Sequence, residues 1–336
     1  MTQVLVTSRF PDYLIEKIRA VSMAIDVTYL DLSRKSWPEG RVMTAEVVYI
    51  SDRRVIPPLE LAPNLRWVQT HWAGIDQLAG EEIWHSDIQI TTASGIHAPN
   101  MGQYVMAQIL AWANRVPGWL AQQRRGQWPK QRWTKFVPDD LRGRTMGILG
   151  YGSIGREVAR LAKAFGLTVL ASKRDAREIR DNGYTLPGAG DPFGAMADRI
   201  YPAAAVRSMV AECDYIVITL PLTPATRALV DETLLREMKP EAFLVNVGRG
   251  AIVDESALIK ALKKGWIAGA GLDVFETEPL PDKSPLWSMD NVILSPHVSG
   301  FTNYYDDRAI DLFNENLGRY LAGAPLLNLV DRPSGY

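Results

Sequence analysis

Cysteine is almost missing from this chain: Cys213 is the single copy in 336 residues, which excludes an internal disulfide framework and fits a reducing compartment. Histidine is scarce, with four copies, and no HExxH run or Cys/His spacing offers a metal site. No apolar stretch approaches the length needed to cross a bilayer, and the opening MTQVLVTSRF carries too short an apolar run for a signal peptide. Neither sign of charge dominates. With 37 basic against 38 acidic residues, the net charge of −1 gives no electrostatic reason to expect nucleic acid or a membrane surface as partner. These absences lead to the expectation of a cytoplasmic protein.

What is present is an ordinary globular composition, 47% apolar and 22% charged. The length exceeds the size at which one core stops growing, so two domains are expected. Short β-branched runs alternate with helical patterns, the signature of α/β folds with parallel sheets. Strands are expected at Val4–Thr7, Ile25–Leu30, Val47–Ser51, Leu65–Thr70 and Ile88–Thr91, with a helix at Pro11–Ser22. From Asn100, MGQYVMAQILAWANRV places Met101, Tyr104, Val105, Gln108 and Trp112 at helical spacing, as a helix crossing between domains would. A second series reads TMGIL, LTVLA, DYIVITL, FLVNV, AGLDV and NVILS, with helices near 154–165, 225–238 and 254–264. A last helix, roughly 303–322, bears an apolar stripe of Ile310, Phe313, Leu317 and Tyr320 and would pack back on the first domain. The expected organisation is two Rossmann-like, doubly wound domains with a cleft between them. Residues 1–102 and 303–336 form a discontinuous, flavodoxin-like substrate domain, and 103–302 form the dinucleotide-binding domain. Two stretches stand outside this scheme. Residues 181–205, rich in Gly, Ala and Pro, read as an insertion with no assigned chemistry; the tryptophan- and arginine-rich 119–136 segment reads as a linker or subunit contact.

In TMGILGYGSIGREVARLAKAFG, Gly150, Gly152 and Gly155 have the G-x-G-x-x-G spacing. They follow an apolar run and open an amphipathic helix whose Ile154, Val158, Leu161, Ala162 and Phe165 share one face. Gly150 permits the turn, Gly152 lets backbone amides approach a pyrophosphate, and Gly155 lets the helix press on the sheet. With Ser153 and Ile154 at the helix N-terminus, where partial positive charge suits phosphates, these glycines are the expected cofactor-binding loop. Cofactor choice falls to the end of the next strand, which is expected at Ala171. Ser172, Lys173 and Arg174 follow it, a hydroxyl and two cations that suit a 2′-phosphate, so NADP is preferred and NAD remains possible through Asp175.

Four residues past strand-like runs in the last third, Arg249, Asp273, Glu278 and His297, would converge on one edge of a parallel sheet. An arginine can hold a carboxylate through two parallel hydrogen bonds, and in NVGRG the flanking glycines leave room around its head group. A carboxylate on an imidazole stabilises the imidazolium, and both Glu278 and Glu276 stand near enough in sequence to His297 to serve. Beside a dinucleotide, such a set can reduce the carbonyl of a 2-oxo acid, His297 supplying the proton.

The glycine loop, N-V-G-R-G, D-V-F-E-x-E-P and S-P-H, in this order, resemble the D-isomer-specific 2-hydroxyacid dehydrogenase family, which includes glyoxylate/hydroxypyruvate reductases. The resemblance spans nearly the whole chain. It implies that Arg249 binds the substrate acid, that His297 pairs with the acid directly before proline, Glu278, and that Asp273 sits by the nicotinamide. It implies backbone amides of Ala73 and Gly74, in HWAGID, on the carboxylate. Leu220, Pro221 and Thr226 would lie on the adenosine side, with Val247, Ser299 and Gly300 lining the nicotinamide pocket. It further implies a D-hydroxy acid product and a homodimer joined through the cofactor domain. Two departures stand out: Lys173 occupies a position usually acidic in NAD-using members, and GQY at 102–104 replaces A-E-H or similar. The alternatives are a non-catalytic dinucleotide sensor or corepressor and a phosphite-type dehydrogenase, both of which keep the Arg, Glu and His set.

Overall fold

The computed structural model describes residues 1–30 and 43–335. It divides into two compact units, Met1–Ile96 with Asn182–Tyr184 and Thr302–Tyr336, and His97–Asp181 with Thr185–Phe301.

The first unit is built on five parallel strands, β1 (Thr2–Val6), β2 (Ile25–Tyr29), β3 (Val47–Ile50), β4 (Trp67–Thr70) and β5 (Gln89–Thr91), in the order β2-β1-β3-β4-β5. Strand β3 is buried along its whole length, and its Val-Val-Tyr-Ile run reads as continuous apolar sequence because both faces are covered. On one face lie the helices Asp12–Arg19 and Tyr305–Leu321, joined in one cluster by Leu14, Ile15, Ile18, Ile310, Phe313 and Leu317. Burying this stripe is what holds the C-terminal helix to a sheet made from the first hundred residues, since each such side chain removed from water contributes about 1.5–3 kcal/mol.

The second unit carries seven parallel strands: β6 (Thr145–Leu149), β7 (Thr168–Lys173), β8 (Arg199–Pro202), β9 (Tyr215–Ile218), β10 (Phe243–Asn246), β11 (Gly269–Leu272) and β12 (Val292–Leu294). Their order is β12-β11-β10-β9-β6-β7-β8, a doubly wound sheet that reverses direction at β6.

Several elements differ from the sequence reading. Strand β8 lies inside the stretch read as an insertion, and its pairing with β7 carries β7 on to Lys173 rather than ending it at Ala171. Three residues of that stretch, Asn182–Tyr184, belong to the first unit, where the Tyr184 amide donates to Asn328 Oδ1 at 3.0 Å. The helix near 225–238 is confined to Glu232–Glu237, because Val230 bridges to Val253 and Asp231 then caps the helix by accepting from the Leu234 amide. The helix Ala98–Ala113 falls wholly within the second unit, so the division comes at Ile96/His97 and not after residue 102. Its Met101, Val105, Met106 and Ile109 pack with Val158, Ala159 and Ala162 of the helix Ser153–Ala164, which explains its allegiance. Phe165, beyond the end of that second helix, is exposed. Among the described residues, no helix is long and apolar enough to cross a membrane.

Cys213 is fully buried beneath β6 and donates to the Met209 carbonyl at 3.0 Å; burial pushes its thiol up to about 12. It should therefore resist a thiol-specific chromophoric disulfide at pH 8 in the native protein and titrate as one equivalent after denaturation. Rapid native labelling would contradict this packing.

Candidate active site

The C-terminal edge of the larger sheet gathers the chemistry. Arg249 follows β10, Asp273 and Glu278 follow β11, and His297 follows β12; the three strands are adjacent and parallel, so their exits share one edge.

His297 Nδ1 lies 2.7 Å from Glu278 Oε2. An ionised carboxylate only accepts, so Nδ1 carries a proton and Nε2 is left as the exchanging nitrogen. The other Glu278 oxygen accepts from the Phe275 amide at 3.0 Å, which fixes the carboxylate. The peptide bond after Glu278, to Pro279, is cis. Glu276, which sequence spacing could not separate from Glu278, has its backbone amide on Glu255 Oε2 at 3.2 Å, while Glu278 is the acid that meets the imidazole. His297 is half-exposed and Glu278 partly so, leaving the pair accessible from solvent.

The backbone at His297 is left-handed, with φ of 53°. That conformation costs an L-residue about 1–2 kcal/mol and has to be held by its surroundings. Asp273 does the holding. Its backbone carbonyl accepts the His297 amide at 2.9 Å, while its carboxylate, wholly buried, accepts the amides of Val298 and Ser299 at 2.9 Å each and the Ser295 hydroxyl at 2.6 Å. Ser295 and its further partner Tyr104 were not singled out as site residues from sequence. The one available signal was Ser295 standing immediately before Pro-His.

Arg249 is half-buried and its Nη1 donates to the Gly248 carbonyl at 2.9 Å. The glycines around it are required by close backbone approach. A Cβ on Gly250 would stand 1.8 Å from the Phe275 carbonyl carbon, and one on Gly248 would stand 2.8 Å from the Leu220 carbonyl oxygen. The N-V-G-R-G turn therefore lies directly on the backbone just before Glu278, tying the arginine segment to the carboxylate segment.

At the glycine loop, Gly150 has φ of +102°, and a Cβ on Gly155 would meet the Gly150 carbonyl oxygen at 2.2 Å, so the helix beginning at Ser153 presses on the turn. A Cβ on Gly152 would meet nothing within 4 Å. Ile154 packs on the core while Ser153 opens the helix. The loop is braced from behind by the segment read without chemistry. Tyr151 donates to Asp191 Oδ2 at 2.6 Å, and buried Arg156 donates to the carbonyls of Asp191 and Ile179 at 2.6 and 2.8 Å.

The remaining expected positions fall as follows. Ser172 is buried inside β7, where its carbonyl accepts the Gly150 and Tyr151 amides at 3.2 and 3.0 Å. Lys173 reaches the Glu178 carbonyl and lies 3.5 Å from its carboxylate, and Arg174 is exposed. Pro221 accepts from Thr226 Oγ1 at 2.7 Å, closing the loop that also holds Leu220. Val247 is buried with its amide donating to the Ile218 carbonyl at 3.2 Å, and Ser299 is buried with its carbonyl accepting Asn100 Nδ2 at 2.7 Å, one residue before Gly300. In the first unit, Ala73 and Gly74 follow β4 in a turn pinned by Thr70 Oγ1 donating to the Trp72 carbonyl at 2.7 Å.

A sequence profile described as D-isomer specific 2-hydroxyacid dehydrogenase, NAD binding domain, matches residues 106–299. The chain belongs to this family. Within it, a glyoxylate reductase of Korarchaeum cryptofilum is 33% identical over 350 residues, covering 99% of each chain. A glyoxylate reductase of Aeropyrum pernix is 38% identical over 300 residues, covering 87% of this chain and 85% of the relative. The solved structure of a D-isomer specific 2-hydroxyacid dehydrogenase from Xanthobacter autotrophicus Py2, in complex with NADPH and MES, matches with a TM-score of 0.80 at 29% identity, covering 100% of this chain and 99% of that one. As a family member, the chain is an oxidoreductase of CH–OH groups that uses NAD or NADP as acceptor, and its reaction class interconverts 2-oxo and D-2-hydroxy acids. The glycine loop fits the family's dinucleotide, since the open space at Gly152 is where a side chain would obstruct a phosphate approaching the helix N-terminus.

Two substitutions separate these glycine roles. Gly155→Ala should lower stability in a urea melt by about 1–3 kcal/mol, the usual cost of forced overpacking. Gly152→Ala should leave the melt nearly unchanged and weaken NADPH binding, followed by fluorescence, at least tenfold; undiminished binding would contradict the open cradle.

Proposed function

We propose that this protein reduces a small 2-oxo acid of the glyoxylate or hydroxypyruvate class to the D-2-hydroxy acid, with NADPH preferred over NADH. The observation that carries this reading is the 2.7 Å His297–Glu278 pair on the same strand edge as Arg249. When bound, a reduced nicotinamide would supply the hydride that the substrate's carbonyl carbon takes up. Arg249 holds the substrate carboxylate through its guanidinium and orients the adjacent carbonyl. His297, as imidazolium, gives its Nε2 proton to the carbonyl oxygen, and Glu278 stabilises the cation before the transfer. In the reverse direction, the neutral imidazole takes that proton back. Ala73 and Gly74 are assigned as amide donors to the carboxylate on the resemblance of the HWAGID loop alone. Leu220, Pro221, Thr226, Val247, Asp273, Ser299 and Gly300 are assigned to the cofactor on the same footing. The homodimer through the cofactor domain is likewise a proposal carried by family likeness.

The preference for NADPH rests on Lys173 and Arg174, two cations at the end of β7 where a 2′-phosphate would need them. The NADPH held by the Xanthobacter relative agrees with it. Ser172, expected beyond the strand, is buried within β7, so its assignment to this set rests on the sequence position alone.

Nicotinamide absorbance with NADPH or NADH against glyoxylate, hydroxypyruvate, pyruvate and bulkier 2-oxo acids tests the reaction. Turnover is expected with one of the small acids, and His297→Ala should lower kcat about 10²- to 10⁴-fold, the usual contribution of a positioned proton donor, with little change in cofactor affinity. Silence across the acids, or a His297→Ala variant that still turns over, would overturn the reading. Separately, Lys173→Ala should weaken adenosine 2′,5′-bisphosphate in calorimetry about tenfold while leaving 5′-AMP unchanged, and equal effects on the two would remove Lys173 from cofactor choice.

A further inference from the structure

The helix Ala98–Ala113 reaches the His297 loop through an unbroken chain of polar groups. Gln108 Nε2 donates to the Tyr104 hydroxyl at 2.6 Å, the Tyr104 hydroxyl is bonded to Ser295 Oγ, and Ser295 Oγ is 2.6 Å from Asp273 Oδ1. The directions of these bonds follow from the end of the chain. Ionised Asp273 can only accept, so Ser295 spends its proton there, and the Tyr104 proton must then point at Ser295. Each hydroxyl accepts from the group before it and donates to the group after it.

We propose that Tyr104 is a positioning residue for the proton-transfer histidine, acting through Ser295 and Asp273 on the 295–299 loop. The inference rests on His297 being the proton donor. Asp273 holds the left-handed His297 backbone and the two following amides with the same carboxylate that receives Ser295. Removing the Tyr104 hydroxyl leaves the Ser295 hydroxyl free to rotate away, and Asp273 then keeps only the two backbone amides of its three donors. A half-buried phenol suits this task. Burial, the largest influence, pushes Tyr104 above the ordinary tyrosine range, so it keeps its proton and remains a donor throughout the pH range of assay. Tyr104 itself touches neither Glu278 nor His297 in the hydrogen-bond network, so its effect is transmitted.

The test uses Tyr104→Phe, Ser295→Ala and the double variant in the full-length protein, beside His297→Ala. Tyr104→Phe is expected to lower kcat roughly 5- to 30-fold, as displacement of a catalytic group by a fraction of an ångström does, with KM for the acid and the dissociation constant of NADPH within about twofold of wild type. The double variant should be no worse than the more damaged single variant, because both cut one chain. In ¹⁵N spectra, the His297 imidazole signals, assigned by their loss in His297→Ala, should shift or broaden in Tyr104→Phe. Multiplying losses in the double variant, or a Tyr104→Phe enzyme with wild-type kcat and unchanged imidazole signals, would overturn the proposal even if its melting temperature fell. Survival of turnover in His297→Ala would instead strike the underlying proton-donor reading, so the two failures are distinguishable.

Discussion

The buried carboxylate of Asp273 is the interaction on which the edge carrying the candidate site depends. Removing an ionised group from water costs several kcal/mol unless its lone pairs are occupied, and here three donors from one short loop occupy them. The cost of burying the charge is thus converted into loop geometry. The loop cannot relax without stripping the carboxylate, and the carboxylate cannot be solvated without opening the loop. A histidine in an otherwise unfavourable backbone conformation is held in register with Glu278, which the next turn along β11 supplies.

A second constraint is made of backbone rather than charge. The Arg249 turn and the segment leading to Glu278 approach so closely that a single methyl group at Gly250 would collide with the peptide of Phe275. Arg249 and Glu278, carried by two neighbouring strands, are thereby tied to one backbone assembly, which fixes the spacing that the roles proposed for them require.

Much of this was legible in the chain. Strands such as VVYI and YIVI announce themselves because both faces are buried, and in a parallel sheet residues just past successive strands must share an edge, which brings Arg249, Glu278 and His297 together without knowledge of any contact. What escaped has physical reasons. Strand β8, RIYP, is an edge strand with exposed Arg199 and Pro202, so it shows neither a buried run nor a clean alternation. The Tyr104–Ser295 bond joins positions 191 residues apart, and no local pattern encodes it. The glycines flanking Arg249 were visible, but their reason was not. Their spacing suggests clearance for a side chain, and the packed structure adds clearance for a neighbouring backbone, which no local pattern encodes.

The first unit closes its core with both ends of the chain: Leu14 and Ile18 from near the start meet Phe313 and Leu317 from near the finish. The sheet β1–β5 and the helix Asp12–Arg19 therefore precede some two hundred residues of the other unit, and the helix that completes the cover of that face, Tyr305–Leu321, follows them. The unit whose strands come first in this sequence thus has its core completed by the segment that comes last.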